Sequence, residues 1–463
     1  MNAMSSAALP TADALRALLA RMEHGLLERA EAVRLALLAA LAGEHLLLIG
    51  PPGTAKSQLA RRLQHAFAGG RYFERLLTRF SVPEELFGPL TLRALEDDRY
   101  ERLTDGYLPC ASVAFLDEVF KANSAILNAL LTLLNEREFD NGCRRERTPL
   151  VSVIGATNEV PTDETLQAFY DRFLIRVPVA AVADASFDAL LDLAPASSGD
   201  ALALTPAMLD AVRQASVSVT LGPAARAALH SLRAQLPALG ITVSDRRWRQ
   251  LVQLLRTQAL CSGRRTVLPV DLWLLPYTVA DQPPQVQGLQ AWVVDVAWGA
   301  PVLEAVWLTR AVEAFEQQLE IETQPQQEDG EAGKLALARS IGTTQAEGGM
   351  TRLVSATLEE RSRRRYSPLH VAARSAQVAE VAEPALAQLQ ALQAHADELC
   401  ADLAHSVWVP PALREQVQAR LDAGLQTLAT LVARLHGLRD AFAALPVDPA
   451  LQGAAPAPVH IAA

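Results

Sequence analysis

Cysteine is scarce in this 463-residue chain: the four, at 110, 143, 261 and 400, form no C-x-x-C pair, and the nine histidines are equally scattered. Neither a disulfide framework nor a zinc site is suggested, and a reducing cytoplasm suits the chain best. No apolar run approaches the roughly eighteen residues that span a bilayer. The start, Met1-Asn2-Ala3-Met4-Ser5-Ser6, lacks a basic stretch followed by an apolar core, so the expectation is a soluble, unexported protein without membrane insertion. Positive charge is not in excess either. Forty-two Lys and Arg against fifty-two Asp and Glu leave a net charge of -10, which argues against a dominant pull toward nucleic acid or anionic membrane. Half of the residues are hydrophobic, and the length allows two or three domains, each with its own core.

What is present is sharply local. Leu46-Leu47-Leu48-Ile49 runs into Gly50-Pro51-Pro52-Gly53-Thr54-Ala55-Lys56-Ser57 and then into the helical Leu59-Ala60-Arg61-Arg62-Leu63. An apolar strand, a Gly/Pro loop ending in Lys-Ser, and a helix make a phosphate-binding loop. Backbone N–H groups and the helix N-terminus converge on phosphate oxygens, with lysine and hydroxyl behind them. A nucleoside triphosphate with magnesium is the expected ligand. Ala55 stands where glycine usually precedes the lysine, so the loop alone is only moderately specific. About sixty residues on, Ser112-Val113-Ala114-Phe115-Leu116-Asp117-Glu118 is a second apolar run ending in two acids, as when a buried strand delivers carboxylates to its C-terminal edge. Asp117 is expected to hold the magnesium and Glu118 to polarise the attacking water. An isolated Asp-Glu pair would read as a solvated strand end; the loop upstream makes the difference.

The spacing predicts helices through Ala12–Ala42 and strands at Leu46–Ile49, Phe73–Arg79, Val113–Leu116, Leu150–Gly155 and Phe173–Val177. Most are separated by more than a dozen residues, which demands crossovers and an α/β fold, a parallel sheet between helices, over residues 1–195. From 196 to 298 four helices are expected, at Pro206–Ala215, Gly222–Gln235, Asp245–Ser262 and Pro269–Val279, forming an all-α second domain. Residues 299–463 read as a helix through Arg310–Leu319, a polar stretch from Gln324 to Gly349, and long helices at Glu383–His405 and Pro411–Ala444. Leu421, Leu425, Leu428, Leu431, Leu435 and Leu438 recur at the spacing of an antiparallel bundle or coiled coil. The tail Gly453–Ala463 is expected to be disordered.

Other residues carry chemistry. Asn158, closing the run Ile154-Gly155-Ala156-Thr157-Asn158-Glu159, is expected beside the strand of Asp117, where an amide can orient water. Arg172, in Ala168-Phe169-Tyr170-Asp171-Arg172-Phe173, is either an arginine finger reaching a neighbouring subunit's γ-phosphate, worth about three to five decades in rate, or a partner of Asp171 or a helix C-terminal charge. In Val243-Ser244-Asp245-Arg246-Arg247-Trp248, with Ser244 or Asp245 as N-cap, two arginines sit against the helix dipole. An anionic partner such as a nucleotide phosphate is then expected at Arg246, with Arg247 close behind; an ordinary surface arginine is the alternative. Asp105-Gly106 and Asn141-Gly142 are hairpin signals for inserted moving parts around Phe80–Pro89 with Leu103–Leu108, and around Glu138–Cys143. Plain surface turns fit equally.

In that order G-P-P-G-T-A-K-S, F-L-D-E, N-E-R, G-A-T-N-E and Y-D-R-F resemble an AAA+ ATPase of the MoxR group. The wording at Gly25–Leu41, Thr78–Leu90, Leu103–Pro109 and Val243–Trp248 is similar to the RavA subfamily, in which alanine before the lysine is usual. The likeness is specific over about residues 20 to 300. It implies a P-loop NTPase core and lid, Lys56 and Ser57 on ATP or ADP and Mg2+, Asp117 and Glu118 as Walker B acids, Asn158 as sensor 1, Arg172 as finger and Arg246 as sensor 2. It also implies a hexameric ring, a von Willebrand factor A domain partner and a protein client. RavA carries a β-rich module between its C-terminal helices; here only about fifty residues, Gln324 to Arg374, take its place. The function expected is an ATP-driven, chaperone-like remodeller. A DNA-acting motor is the alternative, and the acidic balance weighs against it.

Overall fold

A computed structural model describes residues 9–96, 98–193, 203–299, 305–324, 364–451 and 453–461. The chain divides into two compact units, Met1–Pro301 with Leu399–Val417, and Val302–Glu398 with Gln418–Ala463. In the first, helices α1 (Ala12–Glu23) and α2 (Ala30–Ala42) precede strand β1 (Leu46–Ile49) and helix α3 (Lys56–Gln64). Strands β2 (Tyr72–Leu76) and β3 (Val113–Asp117), helix α6 (Ser124–Glu136), strand β6 (Ser152–Thr157), helix α7 (Glu164–Tyr170) and strand β7 (Ile175–Pro178) follow. The five strands form one sheet, wholly parallel, in the order β2-β3-β6-β1-β7. Near-continuous apolar runs such as Val113–Leu116, all buried, are what a parallel sheet covered on both faces requires.

The inserts differ in part from expectation. Asn141-Gly142 does belong to a hairpin: β4 (Glu138–Asn141) pairs antiparallel with β5 (Arg144–Arg147), and Gly142 opens the turn at φ 64°. Asp105-Gly106 makes only a turn, followed by a 3₁₀ turn at Leu108–Cys110. That segment is instead built on short helices α4 (Pro83–Phe87) and α5 (Leu92–Glu96) and one bridge, Leu90 to Arg102. Asn141 ties the two inserts together, its Oδ1 accepting from Arg102 N at 2.7 Å.

The lid helices are α9 (Pro206–Ser216), α10 (Pro223–Gln235), α11 (Asp245–Cys261), α12 (Leu275–Val279) and α13 (Pro283–Trp292), following the short α8 (Phe187–Leu191). The lid is not purely helical. Thr220–Leu221 and Thr266–Val267 form a two-residue parallel pair, β8 and β9, too short to give a periodic signal. Ser244 caps α11, its Oγ accepting from Arg247 N at 3.2 Å.

In the second unit, helix α14 (Val306–Thr323) packs with parts of α15 (Pro368–His405) and α16 (Pro411–Ala443). Their core includes Leu308, Val312, Phe315, Val378, Leu428, Leu431, Leu435 and Phe442. α15 begins fifteen residues before the expected Glu383 and runs through Pro384. The buried stripe Val371, Val378, Ala382, Ala385 outweighs the roughly 3 kcal/mol that an interior proline costs. The tail is also corrected: Arg374 Nη1 donates to Ala457 O at 2.8 Å and Val459 packs against this core. Most of the Gln324–Arg374 insert, residues 325–363, lies outside the described residues.

Candidate functional site

Three adjacent strands end side by side. β6 lies between β1 and β3, with Ile49 opposite Thr157 and Leu116 opposite Gly155. The loop after β1, the acids ending β3 and Asn158 after β6 are therefore brought to one edge. They line a cavity of about 410 Å³ together with Lys56, Ser57 and Phe115.

The loop conformation follows from its residues. A Cβ on Gly50 would lie 1.9 Å from the Val179 carbonyl oxygen, so only glycine lets the loop leave the sheet here. Gly53 takes φ 80°, and Ala55 the left-handed region at φ 62° directly before α3. That second value explains why glycine is usual at this point: alanine holds it at a cost of about 1–2 kcal/mol. Lys56 is buried, its Nζ donating to Gly50 O at 2.6 Å and Pro51 O at 3.0 Å. Burial lowers its pKa, with Asp117 and Glu118 opposing the shift. Arg29, the residue before α2, donates to Thr54 O at 3.2 Å and to Ala180 O at 2.6 Å, a support for the loop that sequence reading missed.

Glu118 takes φ 52°, so its backbone leaves β3 at once and its N–H donates to Asp117 Oδ1 at 3.0 Å. Asn158 Nδ2 donates to Glu118 Oε1 at 2.6 Å, and Lys121 Nζ lies 3.3 Å from Oε2. The carboxylate is held between an amide and an ammonium. The cavity's donors to a cation, the Ser57 hydroxyl and Asp117 carboxylate, are hard oxygens of the kind that suit Mg2+. Among the described residues no cluster of three or more His, Cys, Asp and Glu side chains is arranged to hold a metal ion.

The arginines lie elsewhere. Arg172 precedes β7, at the strand ends opposite the phosphate loop. Its expected alternative as partner of Asp171 is not what forms: Asp171 faces Arg247 at 3.1 Å and Arg176 at 3.7 Å. The Arg172 Nε is buried without a hydrogen-bond partner. Arg247 is buried, donating also to Thr278 O at 2.5 Å and Leu174 O at 2.7 Å. It is thereby a structural tie, with burial the main cause that pulls its guanidinium to about 10. Arg246 is exposed and donates to Asn135 Oδ1 at 2.9 Å, in the last turn of α6. Neither Arg172 nor Arg246 lines the phosphate-loop cavity of its own chain, so the structure does not bring the two with the loop.

Comparison with known proteins gives two family matches. The MoxR domain of MoxR–vWA–β-propeller ternary systems matches residues 13–209, and an AAA lid domain matches residues 226–293. Two uncharacterized proteins of Methanocaldococcus jannaschii are 40% and 41% identical over 263 residues, which span 56% and 55% of this chain and 69% and 67% of theirs. The protein MoxR of Paracoccus denitrificans is 32% identical over 164 residues, 34% of this chain and 47% of its own.

Proposed function

We propose, for a chain that belongs to the MoxR group of AAA+ ATPases, that its ATP sites are shared between the subunits of a ring, a hexamer by resemblance. The observation that carries this reading is the separation just described: the loop, Asp117, Glu118 and Asn158 meet on one cavity, while Arg172 and Arg246 lie away from it. A neighbouring subunit would supply the missing positive charge.

In this reading residues Gly50 to Ala55 wrap the phosphates, and Lys56 exchanges the carbonyls of Gly50 and Pro51 for phosphate oxygens. Ser57 and Asp117 would hold Mg2+, which when bound neutralises phosphate charge. Asn158 gives up Glu118, which then polarises the attacking water, and Asn158 orients it. Arg172 from the neighbour stabilises charge on the γ-phosphoryl, with Arg246 beside it as sensor 2. Catalysis is positioning and charge stabilisation, with little covalent work for the protein. The matched family's description, MoxR–vWA–β-propeller systems, supports a von Willebrand factor A partner and a chaperone-like role on a protein client.

The test is ATPase rate per subunit against protein concentration, alone and with excess Arg172→Ala chain. A steep rise with concentration, and poisoning by the variant beyond simple dilution, are expected. A flat rate that scales with the wild-type fraction would overturn the shared site.

A further inference from the structure

Beneath the sheet, at the strand ends opposite the phosphate loop, lies a cavity of about 810 Å³, roughly twice the volume of the one around the loop. Its size is in the range of small-ligand sites. Three arginines line it: Arg137 after α6, Arg147 on β5, and Arg213 on α9.

Their charge is only partly matched from within the chain, by Glu44 near Arg137 and Asp210 near Arg213, and several of their donors are left over. Arg137 Nη2 donates to Gly43 O at 2.7 Å, closing the C-terminal end of α2, but its Nη1 is buried with no partner. Arg213 is packed where a side chain at position 43 would press on it, 3.2 Å from its Nε, and that Nε too is buried and unpartnered. Its nearest carboxylate, Asp210, stands at 3.8 Å. The Arg147 side chain is exposed and has no partner among the described residues. Two further acids line the cavity, but Glu136 and Glu138 face Arg145, at 3.2 and 3.6 Å. Burial, and then the neighbouring Arg213, pull the Arg137 guanidinium down to about 10, with the Glu44 carboxylate opposing the shift. Leaving buried guanidinium donors unpaired costs stability that an anion would restore.

We infer that this cavity is a second anion site, taking a phosphate-bearing ligand between Arg137, Arg147 and Arg213. It is separate from this chain's own ATP cavity; as a site for a free ligand it stands without the shared-ring reading, and as a site for a neighbour's nucleotide it rests on that reading. The phosphate has two possible sources, a free small molecule or a nucleotide held by a neighbouring subunit.

The test uses the full chain carrying Lys56→Ala, which disables the phosphate loop, with pyrophosphate as calorimetric probe at a protein concentration below assembly. Saturable binding is expected, weakened about tenfold or more by Arg213→Gln and by Arg147→Gln, each removing one charged donor. Arg147 is an exposed strand side chain, so its variant keeps the site testable should Arg213→Gln disturb the lid, and unfolding midpoints check both. Such binding assigns a free ligand. If the dilute chain binds no pyrophosphate but both variants weaken ATP-dependent assembly of the otherwise unaltered protein, the phosphate belongs to a neighbour's nucleotide. The site is overturned if pyrophosphate binding survives both variants, or if there is no binding and assembly is unaffected.

Discussion

Gly50 is a position that no other residue fills, because a Cβ there would sit 1.9 Å from the Val179 carbonyl oxygen. Overpacking against backbone forces the loop to move, so Gly50→Ala is expected to cost about 2–3 kcal/mol and to abolish nucleotide binding, read by denaturant unfolding and a fluorescent nucleotide titration. A second pair of residues sets a pH dependence just before β1. His45 is fully enclosed, its Nδ1 accepting from Val153 N at 3.0 Å and its Nε2 3.1 Å from Leu134 O, which fixes a neutral ring; burial holds its pKa well below 6.5. Its contribution is present above pH 6.5 and lost as pH falls below that value, when the unfolded chain takes up a proton that the folded one refuses. Glu44 acts in the opposite direction. Burial raises its carboxyl to about 7, so its contribution is full below about 4.5 and lost as pH rises through 7. Glu44→Gln removes that loss, and between pH 5 and 8 the variant is expected to gain stability relative to the unaltered protein. An unchanged difference across that range would mean that Glu44 is ionised throughout.

The first turn of α11 separates two arginines that are adjacent in sequence. Residues 246 and 247 differ by about 100° around a helix, enough to put Arg247 in the core with Asp171, Leu174 and Thr278 and Arg246 outside against Asn135. Arg247→Met strands several buried carbonyls and is expected to cost about 3 kcal/mol, whereas Arg246→Ala is expected to change stability by less than about 0.5 kcal/mol. If Arg246 serves a neighbour's nucleotide, its loss lowers ATP turnover with folding intact. Equal destabilisation by both would remove the distinction. The same scale explains what sequence reading caught and missed among the elements. Long apolar runs and capped helices were legible. The two-residue β8–β9 pair was not, since so short a pair has no period, and α13 escaped because its opening Pro283-Pro284 carries little apolar pattern. Asp105-Gly106 makes the plain turn that the sequence allowed equally with a hairpin, because a turn dipeptide specifies a reversal and only partner strands of sufficient length make it a hairpin.

At the scale of the whole molecule, the C-terminal tail is part of the second unit. Removing residues 453–463 takes away the Arg374 to Ala457 hydrogen bond and the packing of Val459, and is expected to destabilise that unit by about 1–2 kcal/mol, read as a lowered thermal midpoint; an unchanged midpoint would make the tail a passive cover. The matches reach the MoxR group; the finer likeness to RavA rests on sequence wording alone. Among the described residues no helix is long and apolar enough to cross a membrane. The sequence by itself determined the phosphate loop, the two acids at the end of β3, the parallel α/β core and the family, because each depends on contiguous residues and short-range backbone geometry. Only the tertiary structure decided that Asn158 restrains Glu118, that Arg247 is a tie and Arg246 is not, that Asp171 is engaged without Arg172, and that three arginines face one cavity. Those facts depend on side chains far apart in the chain meeting across strand register and helix rotation, which no local pattern encodes.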